Sequence, residues 1–207
     1  MDFYLASQGF GSKPKEFKKM VPKRNKNAAY IANAMDYSKN FKRLARRNEE
    51  YLNKLKELGL KPEILDLRDY FHKKKALARK MKKFGVIWVK GGNVFVLRQA
   101  MKLSGFDEIF KSLVNKKILY GGSSAGICIL APSLRGLELV DPITKKPYGK
   151  KIKTIWSGLG ALEYLPIPHY KSKNKHSKAI DRTVAYCIKN KILFRTLTDK
   201  ETFIVKN

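Results

Sequence analysis

Two glycines bracket a pair of serines at Gly122-Ser123-Ser124-Ala125-Gly126, and the spacing G-x-S-x-G selects Ser124 as the residue able to act as a nucleophile. The motif follows the strand-like Ile118-Leu119-Tyr120 and precedes the apolar Ile127-Cys128-Ile129-Leu130. A serine on such a strand-to-helix turn is held in a strained backbone conformation, with its hydroxyl beyond the carboxyl edge of the sheet. The helix N-terminus beneath it favours negative charge on a developing oxyanion. The flanking positions must be small, because strand end and helix start nearly touch. The plain alternative is a glycine-rich βα turn without chemistry. No Gly-Lys-Ser/Thr follows, which excludes a Walker loop.

A serine nucleophile needs a base, and the chain has three histidines. His72 sits in Phe71-His72-Lys73-Lys74-Lys75 and reads as a surface residue. His169 lies in Pro166-Ile167-Pro168-His169-Tyr170, where prolines fix the backbone of a residue that must hold its ring in place, and it leads. His176, in a Lys-rich loop, is the second choice. The base in turn needs an orienting carboxylate. Asp199 ends the strand-like Phe194 to Leu197, where active sites of open α/β sheets gather, with Glu201 and Asp181 as competitors. The resulting chain order, Ser-His-Asp, departs from the Ser-Asp-His order of an α/β-hydrolase, which would require Asp141. Gly91-Gly92-Asn93 closes the apolar Val86 to Val89 and opens a helix, so its N–H groups and that of Ala125 are candidate oxyanion donors. Read alone, Asn93 is an ordinary helix cap.

The elements that position these residues alternate. Short apolar runs at Phe3–Ala6, Ala28–Ala32, Glu63–Leu67, Val86–Val89 and Ile118–Tyr120 are separated by amphipathic stretches, the pattern of βαβ units around a parallel sheet. The clearest helix carries Phe41, Leu44, Ala45, Tyr51, Leu52, Leu55 and Leu58 near helical spacing and stops at Gly59. Beyond the elbow, Ile152 to Gly160 mixes strand formers with glycines and Pro166-Ile167-Pro168 reads as loop. A helix is expected from about Ser177 to Ile188, then strands at Phe194–Leu197 and Phe203–Val205. With no repeat, low-complexity linker or boundary, residues 1–207 are expected to form one domain.

Composition narrows the partners. Lys and Arg number 45 against 17 Asp and Glu, a formal net charge of +28, which attracts polyanions and acidic substrates. The bases are mostly Lys and spread along the chain, whereas nucleic-acid readers lean on Arg, so dedicated nucleic-acid binding is a rival of second rank. Cys128 and Cys187 are too few for a disulfide framework and lack metal-ligand spacing; buried thiols in a reducing compartment are expected. The N-terminus has no basic n-region or long apolar core, and no run is long enough to span a bilayer, so a cytoplasmic protein without membrane contact is expected.

Taken in order, Gly91-Gly92-Asn93, Gly122-Ser123-Ser124-Ala125-Gly126, Pro168-His169-Tyr170 and Leu197-Thr198-Asp199 resemble peptidase E, the aspartyl dipeptidase, and its cyanophycinase relatives. Ser7-Gln8-Gly9-Phe10-Gly11 and Ala28 to Ala34 also look like the family's first two strands, so the resemblance covers nearly the whole chain. It implies a three-layer α/β/α fold with a mainly parallel sheet, flavodoxin-like and of the class I glutamine amidotransferase-like type. It implies cleavage of dipeptides with an N-terminal aspartate, without a metal or other cofactor. By position, Ser124 resembles the family's nucleophile, His169 its base and Asp199 its third, acidic residue, while Gly92, Asn93 and Ala125 resemble its oxyanion region. Better-known members carry a bulky residue in place of Ser123. The segment from Lys171 to Arg182, where the family places a basic residue for the substrate aspartate, offers Arg182 and His176. The expected protein is a serine peptidase acting on a small, acidic peptide as a monomer or homodimer. The rivals are an amidotransferase-like hydrolase or acyltransferase on the same scaffold, and a non-catalytic polyanion-binding relative.

Overall fold

The computed structural model describes residues 1–173 and 176–206, and its strands are β1 (Asp2–Ala6), β2 (Asn27–Ile31), β3 (Lys61–Ile64), β4 (Val86–Val89), β5 (Leu119–Ser123), β6 (Leu165–Ile167), β7 (Phe194–Thr196) and β8 (Thr202–Val205). The helices are α1 (Pro14–Met20), α2 (Phe41–Glu57), α3 (Lys74–Met81), α4 (Val94–Ser104), α5 (Phe106–Leu113), α6 (Ala125–Cys128) and α7 (Ser177–Lys189). The main sheet runs β3-β2-β4-β5-β1-β8; its pairs are parallel except β1 with β8. A separate parallel pair, β6 with β7, flanks it.

The period-two alternation of side chains assigns each strand residue to a layer. Tyr4, Ala6, Ala28, Tyr30, Val86 and Trp88 face one way and bury against Phe17 of α1 and Leu55 of α2. Phe3, Leu5, Ala29, Ile31, Ile87, Val89 and Tyr120 face the other way, against Leu77 of α3, Leu97 of α4 and Phe106 of α5. Strands apolar on both faces belong to a parallel sheet covered by helices on both sides. The fold is the expected three-layer α/β/α.

Several boundaries differ from the sequence expectation. The third strand is Lys61–Ile64 and not Glu63–Leu67: pairing with β2 ends at Tyr30↔Ile64, and Asp66 then caps a 3₁₀ turn at Leu67–Tyr70 through Arg68 N–H at 2.9 Å. Pro166-Ile167-Pro168 is largely strand, since β6 is one of only two strands in its sheet and the missing proline N–H faces an unpaired edge. Ile152 to Gly160 forms no strand; it holds one isolated bridge, Ser157 to Ser133. Asn40 caps α2 by accepting from Arg43 N–H at 3.0 Å, but Phe41 is 74% exposed, so only the second half of that helix packs on the sheet. Among the described residues no helix is long and apolar enough to cross a membrane.

Candidate active site

The carboxyl ends of three neighbouring strands meet at one place. Register pairs Val89 of β4 with Gly122 of β5 and Ala6 of β1 with Ser123, so Lys90, Ser124 and Ser7 leave the sheet side by side. Ligands of open parallel sheets bind at such an edge. Ser124 stands between β5 and α6 with φ 52° and ψ −119°, a conformation that costs an L-residue of order 1–3 kcal/mol and is held by its surroundings. Those surroundings admit no side chain: a Cβ on Gly126 would lie 2.1 Å from the Val89 carbonyl oxygen, and one on Gly122 2.7 Å from that of Gly126. The close approach of strand and helix demands both glycines.

Facing Ser124 is a residue from the small sheet. His169 Nε2 lies 3.1 Å from Ser124 Oγ, and His169 Nδ1 lies 2.6 Å from Asp199 Oδ1. His169 also has positive φ, at 62°. Its backbone N–H donates to Ser7 Oγ at 2.8 Å, the Ser7 hydroxyl reaches toward the Leu197 carbonyl at 3.4 Å, and Tyr170 N–H donates to that same carbonyl at 2.9 Å. The ring is thus seated by β7 and by the end of β1. Partial burial alone would raise the Asp199 carboxyl, but the neighbouring Ser172 hydroxyl and the His169 ring outweigh it and hold the group below its ordinary range. The competing carboxylates are elsewhere: Glu201 accepts from Thr198 N–H at 2.6 Å, and Asp181 is exposed on α7. Asp141 accepts from Val94 N–H at 2.8 Å at the start of α4, and burial pushes its carboxyl up to about 7.

The candidate oxyanion donors divide. Neither Gly92 N–H nor Ala125 N–H has a protein acceptor among the described residues. Asn93 differs from the expectation: its N–H donates to the Ala34 carbonyl at 2.8 Å, and its side-chain oxygen caps α4 through Phe95 and Val96. Its side-chain amide also donates one hydrogen bond to Pro142 O at 2.9 Å, and the backbone N–H proposed as an oxyanion donor is committed to Ala34. Its capping chemistry prevails.

Ser124 opens into a cavity of about 500 Å³, also lined by His169, His176, Gly92 and Ala125. That is within the usual range for small-ligand sites. Arg182 does not line it. The inward face of α7 is Ile180, Thr183 and Cys187, and Arg182 lies exposed between them, so helical phase turns it to solvent. Of the segment Lys171 to Arg182, residues 174 and 175 lie outside the described residues. Sequence reasoning missed Arg47, Lys90 and Lys145 on the cavity wall, and Ser7 beneath His169. Lys90 carried a usable signal, its place directly before the Gly91-Gly92 pair. Arg47 and Lys145 carried none. No group of three or more metal-binding side chains gathers among the described residues.

A mainly parallel α/β sandwich with a serine elbow at its carboxyl edge, met there by a histidine–carboxylate pair, is a hydrolase-type architecture. The chain matches peptidase family S51 over residues 6–203 and belongs to that family. It is 32% identical to an uncharacterized peptidase of Listeria monocytogenes over 56% of this chain and 54% of that one. It is 28% identical to an uncharacterized peptidase of Pasteurella multocida over 44% of this chain and 42% of that one. These matches thus span about half the length of the curated relatives. In three dimensions it is similar to a Listeria monocytogenes protein provisionally called a peptidase E, with a TM-score of 0.77 at 22% identity, covering 100% of this chain and 98% of the other. A peptidase from an acI-B1 actinobacterium superposes with a TM-score of 0.69 at 14% identity, covering 99% and 83%.

Proposed function

We propose that this chain is a serine-type peptidase that hydrolyses small peptides, dipeptides with an N-terminal aspartate first among them. The reading rests on one observation, the continuous hydrogen-bonded line from Ser124 Oγ through His169 to Asp199. With Nδ1–H donating to the carboxylate, the ring presents Nε2 to accept the serine proton.

The reaction follows from those positions. Ser124 Oγ attacks the peptide carbonyl carbon as His169 Nε2 takes the hydroxyl proton, and Asp199 stabilises the imidazolium. Negative charge gathers on the carbonyl oxygen, for which Gly92 N–H and Ala125 N–H are free. As the C–N bond breaks, His169 gives its proton to the departing amine and leaves an acyl group on Ser124. Water then attacks the ester while His169 takes its proton; the Oγ–C bond breaks, and that proton returns to Ser124.

The exposed lysines occur on helices of both layers, Lys15 and Lys18 of α1 and Lys74, Lys75 and Lys111 of α3 and α5. Such a spread over both layers suits a solvated surface better than a dedicated duplex-binding face, and we take their partner to be solvent. Cys128 and Cys187, buried and unpaired, suit a reducing, cytoplasmic setting.

The test is a fluorophosphonate probe followed by a dipeptide library. Labelling of Ser124 together with release of aspartate from Asp-Leu is expected. A protein that labels yet transfers its acyl group only to an added acceptor amine is an acyltransferase, and one that never labels is no serine hydrolase.

A further inference from the structure

Among the described residues Lys90 is the one lysine buried from solvent, with 5% of its surface exposed. Its ammonium donates to the Asn48 side-chain oxygen at 2.9 Å and lies 5.2 Å from the centre of the Tyr51 ring. Both neighbours are uncharged, and no carboxylate among the described residues forms an ion pair with it. The other buried cation of the fold shows the contrast: Arg98 is paired with Asp107 at 3.0 Å and donates to the Ser157 carbonyl at 2.8 Å. A structural cation in this protein is given a carboxylate. Lys90 is not.

Its position says what could complete it. Lys90 directly precedes Gly91, where a Cβ would fall 2.8 Å from Ser124 Cβ, and it lines the cavity into which Ser124 opens. Arg47, adjacent in sequence to Asn48, lines the same cavity and adds a second positive charge. Burial, then Arg47 nearby, pushes the ammonium down to about 8; the Glu50 carboxylate acts the other way but is outweighed and makes no ion pair with it. Elsewhere the wall mixes Lys145, His176 and the Asp141 carboxyl with the apolar Leu137, Val140 and Ile180.

We propose that Lys90, with Arg47 beside it, is the carboxylate subsite of this cavity and the group that selects small peptides presenting a carboxylate to it. This rests on the reading of Ser124 as the nucleophile that cleaves them. A substrate carboxylate entering the cavity supplies the direct ion pair that Glu50, acting only from a distance, does not. A neutral isostere leaves the ammonium buried and unpaired, so discrimination is strong. Two carboxylates of a small peptide have this chemistry, the side chain of an N-terminal acidic residue and the free C-terminus.

The experiment is calorimetric titration of the Ser124→Ala protein, which binds without turnover, with Asp-Leu, Asn-Leu and Asp-Leu amide. Asp-Leu is expected to bind at least about tenfold more tightly than one of the two neutral analogues, and which one identifies the carboxylate held. In Ser124→Ala/Lys90→Met, where an apolar chain of similar length replaces the ammonium, that gap is expected to close. In Ser124→Ala/Lys90→Arg it is expected to persist. Thermal melting of each variant controls for folding. A gap that survives Lys90→Met overturns the proposal, as does the absence of binding by any of the three peptides at millimolar concentration. Fluorophosphonate labelling of the wild-type chain reports separately: an unlabelled Ser124 with Lys90-dependent binding keeps the subsite and removes the reaction.

Discussion

The two halves of the site are built by different means. On one side, β4, β5 and α6 hold Ser124 in a buried frame whose backbone atoms touch and whose glycines admit no substituent. On the other, His169 and Asp199 sit on turns of the two-stranded β6–β7 sheet; their side chains are 22% and 34% exposed, and they are joined to the main sheet through Ser7. The nucleophile's geometry is therefore set by close backbone contact among the elbow, β4 and β1. The base and acid owe theirs to contacts between residues far apart in sequence, such as the 162 positions between Ser7 and His169. Local packing makes the first half rigid, whereas the second half depends on how well a small sheet is seated.

The sharpest break of that contrast is chemical. Ser124→Ala is expected to keep the fold and lose about 10⁴-fold or more in kcat, read as dipeptide turnover beside an unchanged melting curve. Next, Asp199→Asn is expected to lower kcat by about 10³–10⁴-fold while scarcely moving the urea midpoint, because the carboxylate orients a ring and supports little else. In the rigid half the weighting reverses. Gly126→Ala is expected to cost about 2–4 kcal/mol in urea unfolding, since its methyl carbon would meet the Val89 carbonyl.

Smaller effects probe the rim of the cavity, where Asp141 accepts from Val94 N–H at 2.8 Å, and the support beneath His169. Its native carboxyl is raised from 3.8 to about 7, so the folded state holds that proton more tightly than the unfolded chain. The associated stability is present below about pH 4 and is lost as pH rises toward 7. Asp141→Asn keeps an acceptor for Val94 and lacks the titration. Relative to wild type it is expected to gain about 1–3 kcal/mol between pH 4 and 7.5, measured as the difference between their unfolding curves. A constant difference across that range would sink the claim. The smallest effect is expected from Ser7→Ala, which removes the acceptor beneath His169. A loss of about tenfold in kcat with unaltered KM would mark it as a positioning residue, whereas an equal loss of stability and no kinetic change would make it merely structural.

This division also explains what was legible. The elbow, with its strand before and helix after, could be read from Leu119 to Cys128 because its signature lies within that stretch, although Val89 and Ala6 also hold it. The alternating apolar runs marked β1, β2, β4 and β5 for the same reason. Pro166 misled because proline argues against a strand unless the strand has a free edge, and only the tertiary structure reveals that edge. Asn93 could equally be a cap or a donor, and the Ala34 carbonyl decided it. Arg182 was a matter of helical phase. Lys90 was one of 35 lysines by type, and only its burial beside Ser124 separates it from the rest.

The chain order of the three residues has a bearing on how the protein comes into being. His169 lies 45 residues after Ser124, and Asp199 a further 30 after His169, across a sheet whose β8 must return to pair with β1. Contacts of the elbow with α6 and β4 are nearer in sequence and are expected to form earlier, while its pairing with β1 and those of His169 and Asp199 are of long range and are expected to form late. A half-folded chain therefore exposes a serine with nothing to withdraw its proton, and is harmless to the peptides around it. In a refolding experiment, burial of Trp88 is expected to precede the moment at which Ser124 first reacts with a fluorophosphonate. Labelling that keeps pace with Trp88 burial would show the relay assembling together with the core.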